Sequence, residues 1–102
     1  MQRRARNRKG LRGRSPTPVY IGKNVASYSF TPQNPSSKEP VVIEVAELEA
    51  LRLVDLEGLS QEEAGDRMGV SRGTIWRLLQ EARRKTVSAL SEGRQIVIRS
   101  EG

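Results

Sequence analysis

The chain has 102 residues, a net charge of +6, 35% hydrophobic residues and a mean hydropathy of −0.60, which is enough for one small domain and a tail. Cysteine and histidine are both absent, and that excludes disulfides, thiolate catalysis and ordinary zinc sites. No apolar run approaches the length of a membrane span, and the basic N-terminus lacks the apolar middle of a signal peptide. A cytoplasmic protein with no membrane partner is therefore expected.

Residues 1–14 hold Arg3, Arg4, Arg6, Arg8, Lys9, Arg12 and Arg14 and no acid. By composition this is a disordered basic arm. It carries +7, which leaves −1 for the other 88 residues. Arg12-Gly13-Arg14-Ser15-Pro16 is similar to an AT-hook core with a serine inserted, and the simpler account is a nonspecific electrostatic tail. In either role, each phosphate the arm touches should add roughly −0.9 to the slope of log K against log salt. Residues 15–40 contain all five prolines, so helix is disfavoured there. Short extended pieces are expected at 19–21 and 27–30, with Tyr20, Ile21, Tyr28 and Phe30 as apolar anchors.

Val41, Ile43 and Val45 alternate with Val42 and Glu44, the pattern of a short strand. A helix over about 46–57 should follow, stopped by Gly58. Its Leu48, Leu51, Leu53, Val54 and Leu56 spread around most of the axis at about 100° per residue. One small core cannot cover all those faces, which implies a second contact surface, as in a homodimer. Arg52 has helical spacing to pair with Glu49 or Asp55.

Residues 60–80 have the grammar of a helix-turn-helix. Ser60 with Glu63 forms a capping box, Gly69 suits a left-handed helix end, Val70 plugs the gap, and Ser71 caps a second helix. Ala64 and Gly65 are small where the helices must approach. The helices are expected over 60–68 and 71–90. Ile75, Leu78, Leu79, Ala82, Thr86, Ala89 and Leu90 form the buried side of the second. Gly93 should stop it, and residues 94–99 should form a last strand, paired with 41–45 within one chain or across a dimer.

Charge is polarised along this part. Residues 44–66 carry eight acids against Arg52, whereas residues 71–85 carry five cations against Glu81. Such polarity orients a protein on a polyanion. Arg72, Gly73, Trp76, Arg77 and Gln80 lie where a recognition helix presents itself to bases. Arginine bridges guanine O6 and N7, and glutamine bridges adenine N6 and N7. Ser71, Thr74, Arg83, Arg84 and Lys85 are the phosphate candidates.

Several blocks in order carry a family resemblance. They are residues 47–55 (Glu-Leu-Glu-Ala-Leu-Arg-Leu-Val-Asp), 56–64 (Leu-Glu-Gly-Leu-Ser-Gln-Glu-Glu-Ala), 68–72 (Met-Gly-Val-Ser-Arg) and 82–85 (Ala-Arg-Arg-Lys). Together they resemble the domain of unknown function 134 family, also called the UPF0251 proteins. Tyr28-Ser-Phe-Thr-Pro32 resembles the segment ahead of that family's first helix, and Gly93-Arg-Gln-Ile96 its closing strand. The resemblance implies a DNA-binding helix-turn-helix like region 4 of sigma factors. Gly65, Gly73 and Trp76 depart from the residues usual in the family, and Gly65 should cost up to about 1 kcal/mol of helix stability against alanine.

The expected architecture is mostly α: a three-helix, sigma region 4-like helix-turn-helix domain with short flanking strands and an extended basic arm. The expected function is sequence-specific double-stranded DNA binding by a homodimer that regulates transcription. No catalytic constellation, cofactor site or metal site is present in the pattern. Two alternatives stay open: an adaptor that contacts RNA polymerase, and RNA binding through the arginine arm.

Overall fold

The computed structural model describes residues 19–22 and 28–100. The described residues are mostly helical, with three helices and a three-stranded sheet among them. The strands are β1 (Tyr28–Phe30), β2 (Val41–Glu44) and β3 (Ile96–Arg99). The helices are α1 (Val45–Leu51), α2 (Gln61–Met68) and α3 (Arg72–Glu92). A single π-helical turn, Arg52–Leu56, prolongs α1 and carries the first helical rod almost to Gly58, whose φ of 81° ends it.

The sheet order is β1-β3-β2, so the last strand lies in the middle. It runs antiparallel to β1, with Ser29 opposite Val97, and parallel to β2, with Ile43 opposite Ile98. The parallel pair is formed within one chain, and the three helices make the crossover that a parallel connection requires. β1 comes from the proline-containing stretch, whose residues 28–30 supply one edge of the sheet.

Two apolar clusters form the core, and α3 is long enough to serve both. Ala50, Leu53, Ala64, Met68 and Ile75 pack where α1, α2 and the start of α3 meet. Val41, Ile43, Ala89 and Ile98 pack between the sheet and the end of α3. Leu48 and Val54 are half-buried against these clusters, so the fold itself covers much of the leucine-rich face of α1. Leu56 stays 77% exposed. Leu90 is also outside the core, at 74% exposure, contrary to its placement on the buried side of α3. Ala89 holds the contact with the sheet, and one further residue turns the side chain about 100° away.

Candidate nucleic-acid interface

The connection between α2 and α3 is built from local hydrogen bonds. Ser60 Oγ accepts from the Glu63 N–H at 3.0 Å, and Glu63 Oε1 accepts from the Ser60 N–H at 2.9 Å. The Ser60 backbone donor holds the Glu63 carboxyl below its ordinary pKa. Gly69 closes α2 with φ 73°. The Val70 N–H then donates to the Gly65 carbonyl at 2.9 Å. A Cβ on Gly65 would lie 2.7 Å from the Val70 carbonyl oxygen, well inside the roughly 3.5 Å of ordinary contact. The missing side chain at 65 is thus what lets the turn fold back on α2.

Ser71 opens α3. Its Oγ accepts from the Thr74 N–H at 3.1 Å and lies 3.0 Å from Thr74 Oγ1. Arg77 Nη2 donates to the same Thr74 oxygen at 3.4 Å. No acid occupies the first turn of α3 itself; the Ser71 hydroxyl caps the Thr74 N–H, and Glu62 and Asp66 of α2 line the surface next to Ser71 and Arg72. Arg72, Gly73, Trp76, Arg77 and Gln80 are all exposed, and their spacing places them on one side of the helix. Trp76 is 53% exposed. Gly73 has open surroundings, since a Cβ there would meet nothing nearer than Ser71 Oγ at 3.9 Å. The fold does not require glycine at that position.

The other cations of α3 are differently placed. Arg83 Nη2 and Nε donate to the two Asp55 carboxylate oxygens at 2.7 and 3.0 Å. That contact holds the Asp55 carboxyl below, and the Arg83 guanidinium above, their ordinary pKa values. Arg84 pairs with Glu81 one turn earlier at 2.8 Å, which shifts that pair in the same two directions. Lys85 Nζ lies 2.8 and 3.0 Å from the two oxygens of Glu47. Lys85 and Glu47 are largely buried, with side chains only 20% and 11% exposed.

The structure therefore divides the five cations of α3. Arg72 and Arg77, in the N-terminal half, have no carboxylate partner among the described residues, whereas Arg83, Arg84 and Lys85 each have one. The pairings with Asp55 and Glu47 join residues 28 and 38 positions apart, which no local spacing rule reveals. Arg52 takes Glu49 at 2.8 Å and Glu57 at 3.1 Å, and this leaves Asp55 free to face α3. Arg3, Arg4, Arg6, Arg8, Lys9, Arg12 and Arg14 lie outside the described residues.

The pattern of the family described as Protein of unknown function DUF134 matches residues 1–102. The chain belongs to the DUF134 family. A UPF0251 protein of Pyrococcus furiosus is 55% identical over 75 residues, covering 74% of this chain and 69% of the relative. One from Archaeoglobus fulgidus is 46% identical over 96 residues, covering 93% and 91%. A third, from Methanosarcina acetivorans, is 44% identical over 93 residues, covering 89% and 83%. No solved structure matches the chain. No group of three or more metal-ligating side chains stands together among the described residues. No helix there is long and apolar enough to cross a membrane.

Proposed function

We propose that this DUF134 protein binds double-stranded DNA through α2, the turn and α3 acting as a helix-turn-helix, and that it regulates transcription. One observation carries this reading: in the N-terminal half of α3, Arg72 and Arg77 are exposed and without an acidic partner among the described residues, next to exposed Trp76 and Gln80. Helices of this kind enter the major groove with their N-terminal residues at the base edges. Arg72, Arg77 and Gln80 supply the donors that read guanine and adenine. Ser71, Thr74 and the first N–H groups of α3 suit a phosphate. Arg83 and Arg84 each keep an Nη1 group for a phosphate, but their charge is offset by Asp55 and Glu81, and Lys85 stays with Glu47.

The test is selection of bound sequences from random duplexes near physiological salt, followed by Arg77→Ala on the enriched site. The substitution should cost about 1–3 kcal/mol and relax preference at one base pair. An equal loss on every sequence would leave Arg77 a phosphate contact, and absence of duplex binding by the intact chain would end the proposal.

Val87 and Leu90 favour a second element of the reading, a homodimer. They are 62% and 74% exposed and lie one turn apart, well along α3 from the reading end. Apolar residues left uncovered at that spacing suit a second copy of the helix. Two half-sites in the enriched sequence, together with a concentration-dependent mass lost in Leu90→Glu, are the expected outcome. A monomer at all concentrations, with a single half-site, would remove the dimer.

A further inference from the structure

The exposed face at the start of α3 sets one aromatic ring among polar groups. Trp76 is the single tryptophan of the chain and stays 53% exposed. Arg72, Arg77 and Gln80 share its face and are exposed as well. The next large apolar residue exposed along α3 is Val87, about three turns and roughly 16 Å further on. Gln80 and Arg83 lie between the two. The indole is therefore separate from the Val87 and Leu90 patch.

Beside the indole the fold leaves an open notch. At about 100° per residue, Gly73 lies one turn before Trp76 and Arg77, between them around the axis. Long side chains of a helix lean back over the preceding turn, which directs the indole toward Gly73. A Cβ at 73 would nevertheless meet no indole atom within 4 Å, and its nearest contact would be Ser71 Oγ at 3.9 Å. There is thus room for one methyl carbon, over the Gly73 backbone and between Trp76 and Arg77.

The polar groups of this face read purines: arginine bridges guanine and glutamine bridges adenine. Thymine differs from cytosine in the major groove by its O4 acceptor and its C5-methyl group, and apolar contact is what reads the methyl. We propose that Trp76 and Gly73 form a thymine reader, in which the C5-methyl enters the notch against the indole while Arg77 engages an adjacent base. Trp76 is then a specificity-determining residue, and the missing side chain at 73 makes its site. The inference rests on the DNA-binding reading above and deepens it by naming a base. Arg72 and Arg77, without acidic partners among the described residues, commit this patch to a polyanion. A second copy of the same face would bring like charges together, which is costly.

The experiment compares the enriched duplex with versions in which deoxyuridine replaces each thymidine in turn. The exchange removes only the methyl and keeps every hydrogen-bonding group of the base. At one thymine of the core site, the intact chain should bind the uracil duplex about three- to fourfold more weakly, the ratio expected for one buried methyl-sized group. Trp76→Ala should bind the parent duplex more weakly and treat thymine and uracil alike at that position. Gly73→Ala fills the notch and should lose the same discrimination with the indole still in place. Melting curves check that both variants are folded, and solution mass checks that they keep the oligomeric state of the parent. No uracil penalty at any thymine, or a penalty that survives in either variant, overturns the thymine reader and leaves the helix-turn-helix reading standing. Duplex binding with no enriched sequence does the same. A Trp76→Ala protein that is monomeric where the parent is dimeric assigns the indole to a contact between copies, which also overturns the reader. Failure of the intact chain to bind any duplex overturns the DNA-binding reading and the thymine reader with it.

Discussion

Asp55 and Arg83 meet face to face across the gap between the π turn and the middle of α3, through two hydrogen bonds of 2.7 and 3.0 Å. Both side chains are about 40% exposed, so the pair adds at most about 1 kcal/mol to stability. Its larger consequence is for charge, because the Asp55 carboxylate offsets the Arg83 cation that a phosphate would meet and engages its Nε and Nη2 donors. Asp55→Asn should leave the melting temperature nearly unchanged. It should raise affinity for duplexes of any sequence and steepen the salt slope by roughly 0.9, the increment for one phosphate. If affinity and slope both stay at the parent values in a binding assay, Arg83 lies away from the duplex.

The same pair gives a pH dependence with a definite sign. Arg83 holds the folded-state pKa of Asp55 below its ordinary value. The stabilisation is therefore fully present above the ordinary carboxylate range and is lost as pH falls through the depressed folded value. Urea midpoints of the parent and Asp55→Asn should differ slightly near neutrality and converge below the usual aspartate range. A gap that persists undiminished into strong acid would show that the two proteins differ for a reason other than this carboxylate.

Two glycines of the α2–turn–α3 unit should respond in opposite ways to alanine. At Gly65 the added Cβ meets the Val70 carbonyl at 2.7 Å, and backbone is not free to yield. The helix propensity gained, about 1 kcal/mol, is outweighed by a steric cost on the order of 1–3 kcal/mol, so Gly65→Ala should lower stability. At Gly73 the nearest atom is 3.9 Å away, and alanine should raise stability by up to about 1 kcal/mol. Placed against bases, however, a methyl at 73 should weaken binding to the selected site. Chemical denaturation separates the two cases; a stabilised Gly65→Ala would mean that the turn shifts freely, and unchanged binding by Gly73→Ala would place that residue off the duplex.

The parts of this fold that could be read from sequence are those made by neighbours. Ser60 with Glu63, Gly69, Ser71 and Gly93 each act within a few residues, and each terminates or starts a helix where its chemistry requires. The alternation of Val41 and Ile43 likewise marks the buried face of β2. Contacts between distant segments were not legible. Nothing in residues 28–30 specifies a place beside β3 rather than beside β2, and the pairing of β2 with β3 was open between one chain and two. The basic character of residues 83–85 was visible, but the acids that take up Arg83 and Lys85 stand on another helix. Gly65 shows the limit most clearly: propensity assigns it a cost, whereas the close approach of Val70 makes the absent side chain a requirement.

Lys85 and Glu47 test whether the inner end of this basic run serves the fold alone. Glu47 accepts from the Glu44 N–H at 3.0 Å as well as from Lys85, and it is 8% exposed. Removing only the lysine charge strands a nearly buried carboxylate. Lys85→Met should therefore cost about 2 kcal/mol, less than the roughly 3–5 kcal/mol of a fully buried pair because Lys85 keeps some solvent. Glu47→Gln retains an oxygen for the Glu44 N–H and removes the stranded charge. The double variant should recover most of the loss, and the non-additivity measures the coupling. Its affinity for duplex DNA should equal that of the parent, since Lys85 has no free charge to lose. A refolded double variant that binds DNA several-fold more weakly would return Lys85 to the phosphate-contacting set.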